Sequence, residues 1–130
     1  MNWPEQHYEN GCGKNINTGR RFKSVVRILK ALSTEMAERR VSAGDVPGFL
    51  IECLVWNAPN DRFQHATYAA DVRAILMYVY EQTKVAESCA KWVEVSQMKW
   101  LFRPTHNCTR EQANAFTLAA WIYVGFGNQP

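Results

Sequence analysis

The sequence predicts a mainly α-helical fold, a bundle of four to five helices with one small β-hairpin. First, apolar residues recur at helical spacing between Phe22 and Met36. Second, residues 47–57 are almost wholly apolar, which is typical of a helix buried on most sides. Third, the 130 residues are 47% hydrophobic and 21% charged, which suits one globular domain with a single core.

The chain divides at residue 18. Residues 1–17 are predicted to be irregular because Pro4, Gly11, Gly13 and several asparagines are typical of turns and loops. The helical domain is expected to span residues 18–130, with Thr18 as the N-cap of a first helix that ends near residue 40. Its apolar face consists of Phe22, Val25, Val26, Leu29, Leu32 and Met36.

The first helix also carries a cationic face, formed by Arg20, Lys23, Arg27 and Lys30 opposite the apolar stripe. Residues 14–40 hold eight of the 15 Lys and Arg residues and two acidic residues, a net charge of +6, whereas the rest of the chain is −3. A local positive charge on a nearly neutral chain indicates an anionic ligand at one place. A solvated helix face without a ligand is the alternative.

The second helix begins near Pro47, which suits a first turn. Glu52 is the one charge between residues 49 and 56, and a buried carboxylate is costly unless it is paired. We expect Glu52 to pair with Arg27 or Lys30 of the cationic face and so to fix how the two helices meet. Alternatively, Glu52 faces solvent.

A third helix is predicted from about residue 62 to residue 83, capped by Asn60 or Asp61. Its expected core positions are Phe63, Ala66, Thr67, Ala70, Ile75, Leu76 and Val79.

A hairpin and a last helix complete the predicted fold. Residues 92–96 alternate between apolar and polar, as in a strand, and residues 99–102 are the predicted partner. Such a hairpin is marginal alone, so we expect it to rest on the helices. The last helix is capped by Thr109 and ends at Gly125. Its apolar face consists of Ala113, Phe116, Thr117, Ala120, Trp121 and Val124.

Catalytic motifs are missing. Two-metal phosphoryl or nucleotidyl transfer needs clustered carboxylates, whereas Asp45, Asp61 and Asp71 are isolated. The scattered histidines, His7, His65 and His106, are interpreted as surface or capping residues. No catalytic residue and no metal ligand is therefore assigned, and the chain is not expected to be an active enzyme alone.

The sequence also bears on location. No apolar run reaches the roughly 20 residues that span a bilayer. Residues 1–10 are polar and lack the apolar core of a signal peptide. The four cysteines show no zinc-module spacing and fit a reducing compartment. We expect a cytoplasmic protein without a membrane partner.

Two segments, FKSVVRILK (residues 22–30) and PGFLIECLVWN (47–57), resemble the C-terminal helical lobe of bacterial DNA polymerase β-like nucleotidyltransferases. That superfamily includes oligoadenylate synthase, cyclic GMP-AMP synthase and the bacterial cyclic-oligonucleotide synthases of antiphage systems. The segments WVEV (92–95), LF (101–102) and AAW (119–121) match the same lobe further on.

The resemblance implies a second lobe. In the family, a sheet lobe carries a Gly-Ser turn and three metal-binding carboxylates, and these are absent here. The segment WPEQH (residues 3–7) resembles the family segment that comes directly after the sheet, so the chain is expected to start just after that lobe. An excised domain, a separately encoded lobe and a degenerate remnant are all compatible with this. Mg²⁺ is expected only with the missing catalytic lobe.

The resemblance also implies site residues. The lysine that ends the first motif, Lys30, reaches the triphosphate of a bound nucleotide in the family. A serine that contacts phosphate is replaced here by Gly48, whose backbone N–H at a helix start can still serve an anion. Lys23 and Arg20 on the cationic face complete the predicted set. Arg27 and Glu52 are carried over as a structural ion pair without a catalytic role.

The implied function is a non-catalytic lobe that helps bind a nucleoside triphosphate and closes the active-site cleft. Its partner is a catalytic domain in cis or in trans, and the setting is antiphage nucleotide signalling. The alternative is an interaction or regulatory module that docks on a catalytic partner or forms a homo-oligomer. An exposed Trp3 or Trp100 would mark such a docking face. Double-stranded nucleic acid is disfavoured because the cationic face is short.

Overall fold

Five α-helices form within the part of the chain that the structure describes, as predicted for a mainly helical fold. The structure is a computed structural model that describes residues 3–103 and 107–130, with the backbone alone at Trp3. The helices are α1 (Trp3–Asn17), α2 (Arg21–Glu38), α3 (Gly48–Asn57), α4 (Tyr68–Thr83) and α5 (Arg110–Tyr123). Short 3₁₀ helices span Asn60–Phe63 and Ala86–Cys89. None of these helices is long and apolar enough to cross a membrane.

Helix α1 corrects the prediction that residues 1–17 are irregular, because Trp3–Asn17 is helical over 15 residues. Gly11 is buried, and a Cβ added there would lie 3.7 Å from the Phe22 ring. The glycine thus permits close packing of α1 on α2. The ammonium of Lys14 donates to the Ala58 carbonyl oxygen at 2.7 Å. These tertiary contacts outweigh the poor helix propensity of glycine and asparagine.

The turn between α1 and α2 explains why α2 begins later than predicted. Arg20 occupies the N-cap position with a left-handed backbone, φ 67°. Thr18 is buried in the turn, where its hydroxyl donates to the Lys14 carbonyl oxygen at 2.9 Å and accepts from the Phe22 N–H at 3.0 Å. Thr18 therefore satisfies an end group of α2 without being its N-cap.

The core lies where the apolar faces of the helices meet. All the predicted apolar positions of α2 are buried except Leu32, which is partly buried. In α3 the buried residues are Leu50, Ile51, Cys53, Leu54 and Val55. The predicted face of α5 is buried apart from Val124, which is 40% exposed. The helical periodicity thus located the core correctly in α2 and α5, and the run of apolar residues did so in α3.

Helix α4 starts later than predicted. Asn60–Phe63 is a 3₁₀ turn, and α4 begins at Tyr68 after its N-cap Thr67, whose hydroxyl accepts from the Ala70 N–H at 3.1 Å. The expected core positions Ala66 and Thr67 are therefore exposed. Ile75, Leu76 and Val79 are buried as expected, as is Phe63 within the 3₁₀ turn.

The predicted hairpin is wrong. Across residues 3–103 and 107–130, the β-structure consists of one isolated antiparallel bridge between Val93 and Trp100. The Leu101 N–H donates to the Trp92 carbonyl oxygen at 2.9 Å and the Glu94 N–H to the Lys99 carbonyl oxygen at 3.0 Å, on either side of this bridge. The Glu94 carbonyl oxygen instead accepts from the Gln97 N–H at 2.8 Å, so the pairing ends there in a turn. The outward-facing backbone groups of Val93 are bound by Asn57 of α3, whose amide donates to the Val93 carbonyl oxygen at 2.8 Å and whose oxygen accepts from the Val93 N–H at 3.3 Å.

Candidate functional site

A groove of about 470 Å³ lies between α1, α2 and α3. Its residues combine an apolar wall from α1 and α2 with three cations of α2 and one carboxylate of α3. They are His7, Tyr8, Gly11, Phe22, Lys23, Val26, Arg27, Lys30 and Glu52. Three of the four cations predicted for the cationic face therefore line a concave surface, which is the shape expected of a ligand site.

Lys23 lies at the α1 side of this groove. Its ammonium is 5.4 Å from the centre of the Tyr8 ring, which is cation–π geometry, and 3.3 Å from Sγ of Cys12. Tyr8 is 68% exposed, so Lys23 remains accessible from solvent. This arrangement places a positive charge at the mouth of the groove.

Lys30 lies at the α3 side and contacts Glu52. Its Nζ is 2.5 Å from Oε1 of Glu52, so the hypothesis that Glu52 pairs with the cationic face is confirmed for Lys30. The assigned pair of Arg27 and Glu52 is wrong: Arg27 lines the groove without an ion pair to any residue that the structure describes. The two cations lie one turn apart, and the crossing of α2 and α3 brings the later one to Glu52.

Glu52 has a second partner, His7. The Nε2 atom of His7 is 2.6 Å from Oε2 of Glu52, and the His7 ring stacks on Phe49 with 5.8 Å between centroids. Burial raises the pKa of Glu52, but hydrogen bonds from Lys30 and His7 more than offset this and hold that pKa below its ordinary value. Glu52 is therefore an ionised carboxylate between two nitrogen groups at neutral pH.

Sequence reasoning missed the role of His7 because residues 1–17 were expected to be irregular. A helical register would have placed His7, Tyr8 and Gly11 on one face of α1. That periodicity was the available signal, and the glycines and asparagines of the segment obscured it.

Gly48 is the first residue of α3 and lies beside the end of Lys30. A Cβ added at Gly48 would be 3.1 Å from Cε and 3.6 Å from Nζ of Lys30. Lys30 and Gly48 also share a smaller pocket of about 240 Å³, together with Asp45. The structure thus brings together two of the residues predicted for phosphate binding, a lysine ammonium and the start of a helix.

Arg20 stands apart from these residues. It caps α2 in a left-handed conformation, its side chain is exposed, and its carbonyl oxygen accepts from the Ser24 hydroxyl at 3.4 Å. It lines neither the groove nor the smaller pocket. Lys23 and Lys30 therefore share the groove, and Arg20 lies at the N-terminal end of the same helix.

A separate ionic cluster surrounds Asp71, which is fully buried. Its carboxylate accepts from the Arg21 guanidinium and from the His65 backbone N–H at 3.0 Å, and it contacts His65 Nδ1 at 2.9 Å. Burial would raise the pKa of Asp71, but Arg21 and His65 lower it below its ordinary value. Arg21 also lies over the Tyr68 ring at 4.8 Å. This cluster fastens α2 to α4 and the preceding turn.

Metal coordination has no candidate in the described part of the chain. There, no three His, Cys, Asp or Glu side chains come together as a possible metal site. The described residues therefore do not fit the Mg²⁺ that the resemblance implies for a catalytic lobe. His106 lies outside the described residues.

Comparisons with a family model and with individual proteins identify the same family. Residues 9–125 match the cGAS/DncV-like nucleotidyltransferase C-terminal helical domain. The chain is 37% identical over 124 residues to the cyclic dipyrimidine nucleotide synthase CdnE of Legionella pneumophila, covering 95% of this chain and 41% of that protein. It is 36% identical over 127 residues to the cyclic dipurine nucleotide synthase of Elizabethkingia meningoseptica, covering 97% and 42%.

Solved structures agree with the sequence matches. The chain superimposes on the Elizabethkingia meningoseptica CdnE cyclic dinucleotide synthase, solved with GTP and Apcpp, with a TM-score of 0.86 and 37% identity. The match covers 94% of this chain and 44% of that structure. The chain spans about two fifths of the length of the curated relatives it matches. The chain belongs to the cGAS/DncV-like nucleotidyltransferase family, as its C-terminal helical domain.

Proposed function

We propose that this helical domain helps bind the phosphates of a nucleoside triphosphate and closes the active-site cleft of a cyclic nucleotide synthase. The catalytic lobe is supplied in cis or in trans and brings the carboxylates that hold Mg²⁺. The setting is antiphage nucleotide signalling.

The observation that carries this proposal is the position of Lys30 between the groove and the first residue of α3. A lysine ammonium offers three donors to phosphate oxygens, and a helix start offers backbone N–H groups together with a favourable dipole. Lys30 Nζ would lie within 3.6 Å of a Cβ at Gly48, so one anionic group could contact both. Lys23 supplies a second positive charge in the groove, and Arg20 a more distant one that attracts the anion electrostatically.

The relatives support the same assignment. The Elizabethkingia meningoseptica enzyme was solved with GTP and Apcpp, and this chain covers 44% of that structure. A domain of the same family and fold is therefore part of a protein whose structure was solved with GTP.

A map of backbone amide shifts tests the proposal. Mg·GTP is added to the ¹⁵N-labelled chain, and we expect saturable shifts at Lys23, Lys30 and Gly48. Ile122, near the C-terminal end of α5, provides the internal control and should not move. Shifts confined to residues outside the groove and the smaller pocket would contradict the proposal.

A second candidate, a protein-interaction surface, is favoured by the exposure of Trp100. This indole is 54% exposed beside Met98, which is 39% exposed, in the turn after the second 3₁₀ helix. Exposed aromatic side chains are frequent anchors of protein interfaces. If this surface docks a catalytic domain, Trp100→Ala should weaken its binding to that domain while leaving the nucleotide-induced shifts at Lys30 intact.

A further inference from the structure

Glu52 is shared by two partners that lie on different helices. Its Oε1 atom faces Lys30 Nζ of α2 at 2.5 Å, and its Oε2 atom faces His7 Nε2 of α1 at 2.6 Å. The side chains of Glu52 and His7 are 29% and 25% exposed, so the carboxylate is partly withdrawn from water. Because both partners act on one carboxylate, the contribution of each depends on the other.

A phosphate bound by Lys30 would compete with Glu52 for the same ammonium. Turning Lys30 away would leave a partly buried carboxylate with less compensation, which costs free energy. A protonated His7 reduces this cost because it leaves a positive charge against Oε2. A neutral His7 offers Glu52 a hydrogen bond without that charge.

We propose that His7 is a positioning residue for Lys30: protonation of His7 releases the ammonium of Lys30 from Glu52 toward phosphate, so that affinity for the triphosphate rises on acidification. The inference rests on the proposed function, since Lys30 is the group through which the phosphate is bound. Histidine is the side chain type whose charge ordinarily changes between about pH 5 and 8.

The surroundings of His7 favour this role. Its ring is held against Phe49, which leaves Nε2 directed at Glu52. Glu94 shares a pocket of about 440 Å³ with His7 but forms its own ion pair with Arg103 at 2.6 Å. The titratable and charged groups that share a pocket with His7 are Tyr8 of α1, Lys23, Arg27 and Lys30 of α2, Glu52 of α3, and Glu94.

Calorimetry of Mg·ATP binding at two pH values tests the proposal. Wild type, His7→Gln and the control His65→Gln are compared at constant ionic strength; glutamine keeps a hydrogen-bond donor but does not titrate. Wild type and His65→Gln should bind about fivefold more tightly at about pH 6 than at about pH 8, in the range of ordinary coupling energies. His7→Gln should show no such gain, and a variant that keeps the full gain would overturn the proposal.

A nucleotide-free measurement separates this inference from the proposed function. Lys30→Met leaves Glu52 with His7 as its remaining partner, so the NMR titration midpoint of the His7 ring should move to higher pH. If the midpoint is unchanged in Lys30→Met while the wild-type chain binds nucleotide through Lys30, the role of His7 is refuted and the proposed function stands. A shifted midpoint in a chain that binds no nucleotide at all would refute the proposed function and with it the release of Lys30 to phosphate.

Discussion

Lys30 and Glu52 form an ion pair, with Nζ 2.5 Å from Oε1, that joins α2 to α3 beside the groove. The lysine implied by the family resemblance as a phosphate ligand is thus the same residue that neutralises the one carboxylate of α3. The observed structural role and the proposed ligand-binding role therefore meet in one side chain, and variants of Glu52 and Lys30 should separate them.

Loss of the Glu52 charge should destabilise the fold modestly. Because Lys30 is 41% exposed, solvent weakens the pair, and we expect Glu52→Gln to lower the free energy of unfolding by about 1 kcal/mol. Arg27→Ala should change it by less than about 0.5 kcal/mol, since Arg27 has no ion pair within the described residues. Urea unfolding measures both, and a larger loss for Arg27→Ala would contradict the observed pairing.

Asp71→Asn should be far more damaging than Glu52→Gln. The variant removes the buried carboxylate that pairs with Arg21 and leaves the guanidinium without its counter-charge. Breaking a buried ion pair in this way lowers the free energy of unfolding by about 3 kcal/mol or more. Urea midpoints of the two variants, compared with wild type, check the order.

Acid should erase the advantage of wild type over Asp71→Asn. The pKa of Asp71 is lowered in the folded state, so its contribution is fully present above its unfolded value of roughly 3.9 and is lost as the pH falls through the folded value. Unfolding free energies measured at decreasing pH should converge. A difference that stays constant into strong acid would show that Asp71 stabilises the fold by means other than its charge.

Alkali should increase the contribution of Lys14 to the free energy of unfolding. Burial lowers its pKa from 10.5 to about 8, although its ammonium donates to Ala58 and Asn60. Between that value and the unfolded one, the unfolded chain binds more protons, so stability due to Lys14 rises with pH across this window. Relative to Lys14→Met, wild type should gain stability between about pH 8 and about pH 10. A flat difference would contradict the depressed value.

Substitutions of two of the tryptophans, Trp121 and Trp100, should differ sharply in their effect on stability. Trp121 is 1% exposed, whereas Trp100 is 54% exposed. We expect Trp121→Ala to cost about 3–5 kcal/mol, as for large buried side chains. Trp100→Ala should cost less than about 1 kcal/mol. Thermal melting compares them, and equal losses would mean that Trp100 is part of the core and not free for a partner.

Local sequence periodicity was sufficient for α2 and α5, and the run of apolar residues was sufficient for α3, because their apolar residues face one core. Local pattern failed for α1, where Gly11 and Gly13 suggested a loop while Gly11 instead lets the helix approach Phe22. It also failed for the hairpin, since the alternation at residues 92–96 gives no indication that the pairing ends in a turn between Glu94 and Gln97. The first failure comes from packing against another helix, and the second from a local turn.

The positive charge of the site was predictable from the sequence, but the partner of Glu52 was not. Periodicity put Lys23, Arg27 and Lys30 on one face of α2, and the groove contains all three. Which of them meets Glu52 depends on how α2 crosses α3, and spacing within one helix does not encode that angle. The place of His7 could not be reached without first recognising α1.

The most direct test of phosphate binding compares nucleotide affinity across charge-matched variants. Calorimetry of Mg·GTP is run on wild type, Lys30→Ala and the control Lys91→Ala, which removes one exposed positive charge outside the groove-lining set. Removing a charge-assisted contact to phosphate should weaken binding about tenfold or more in Lys30→Ala, with Lys91→Ala close to wild type. Equal affinities for wild type and Lys30→Ala would contradict the assignment of Lys30 as the phosphate ligand.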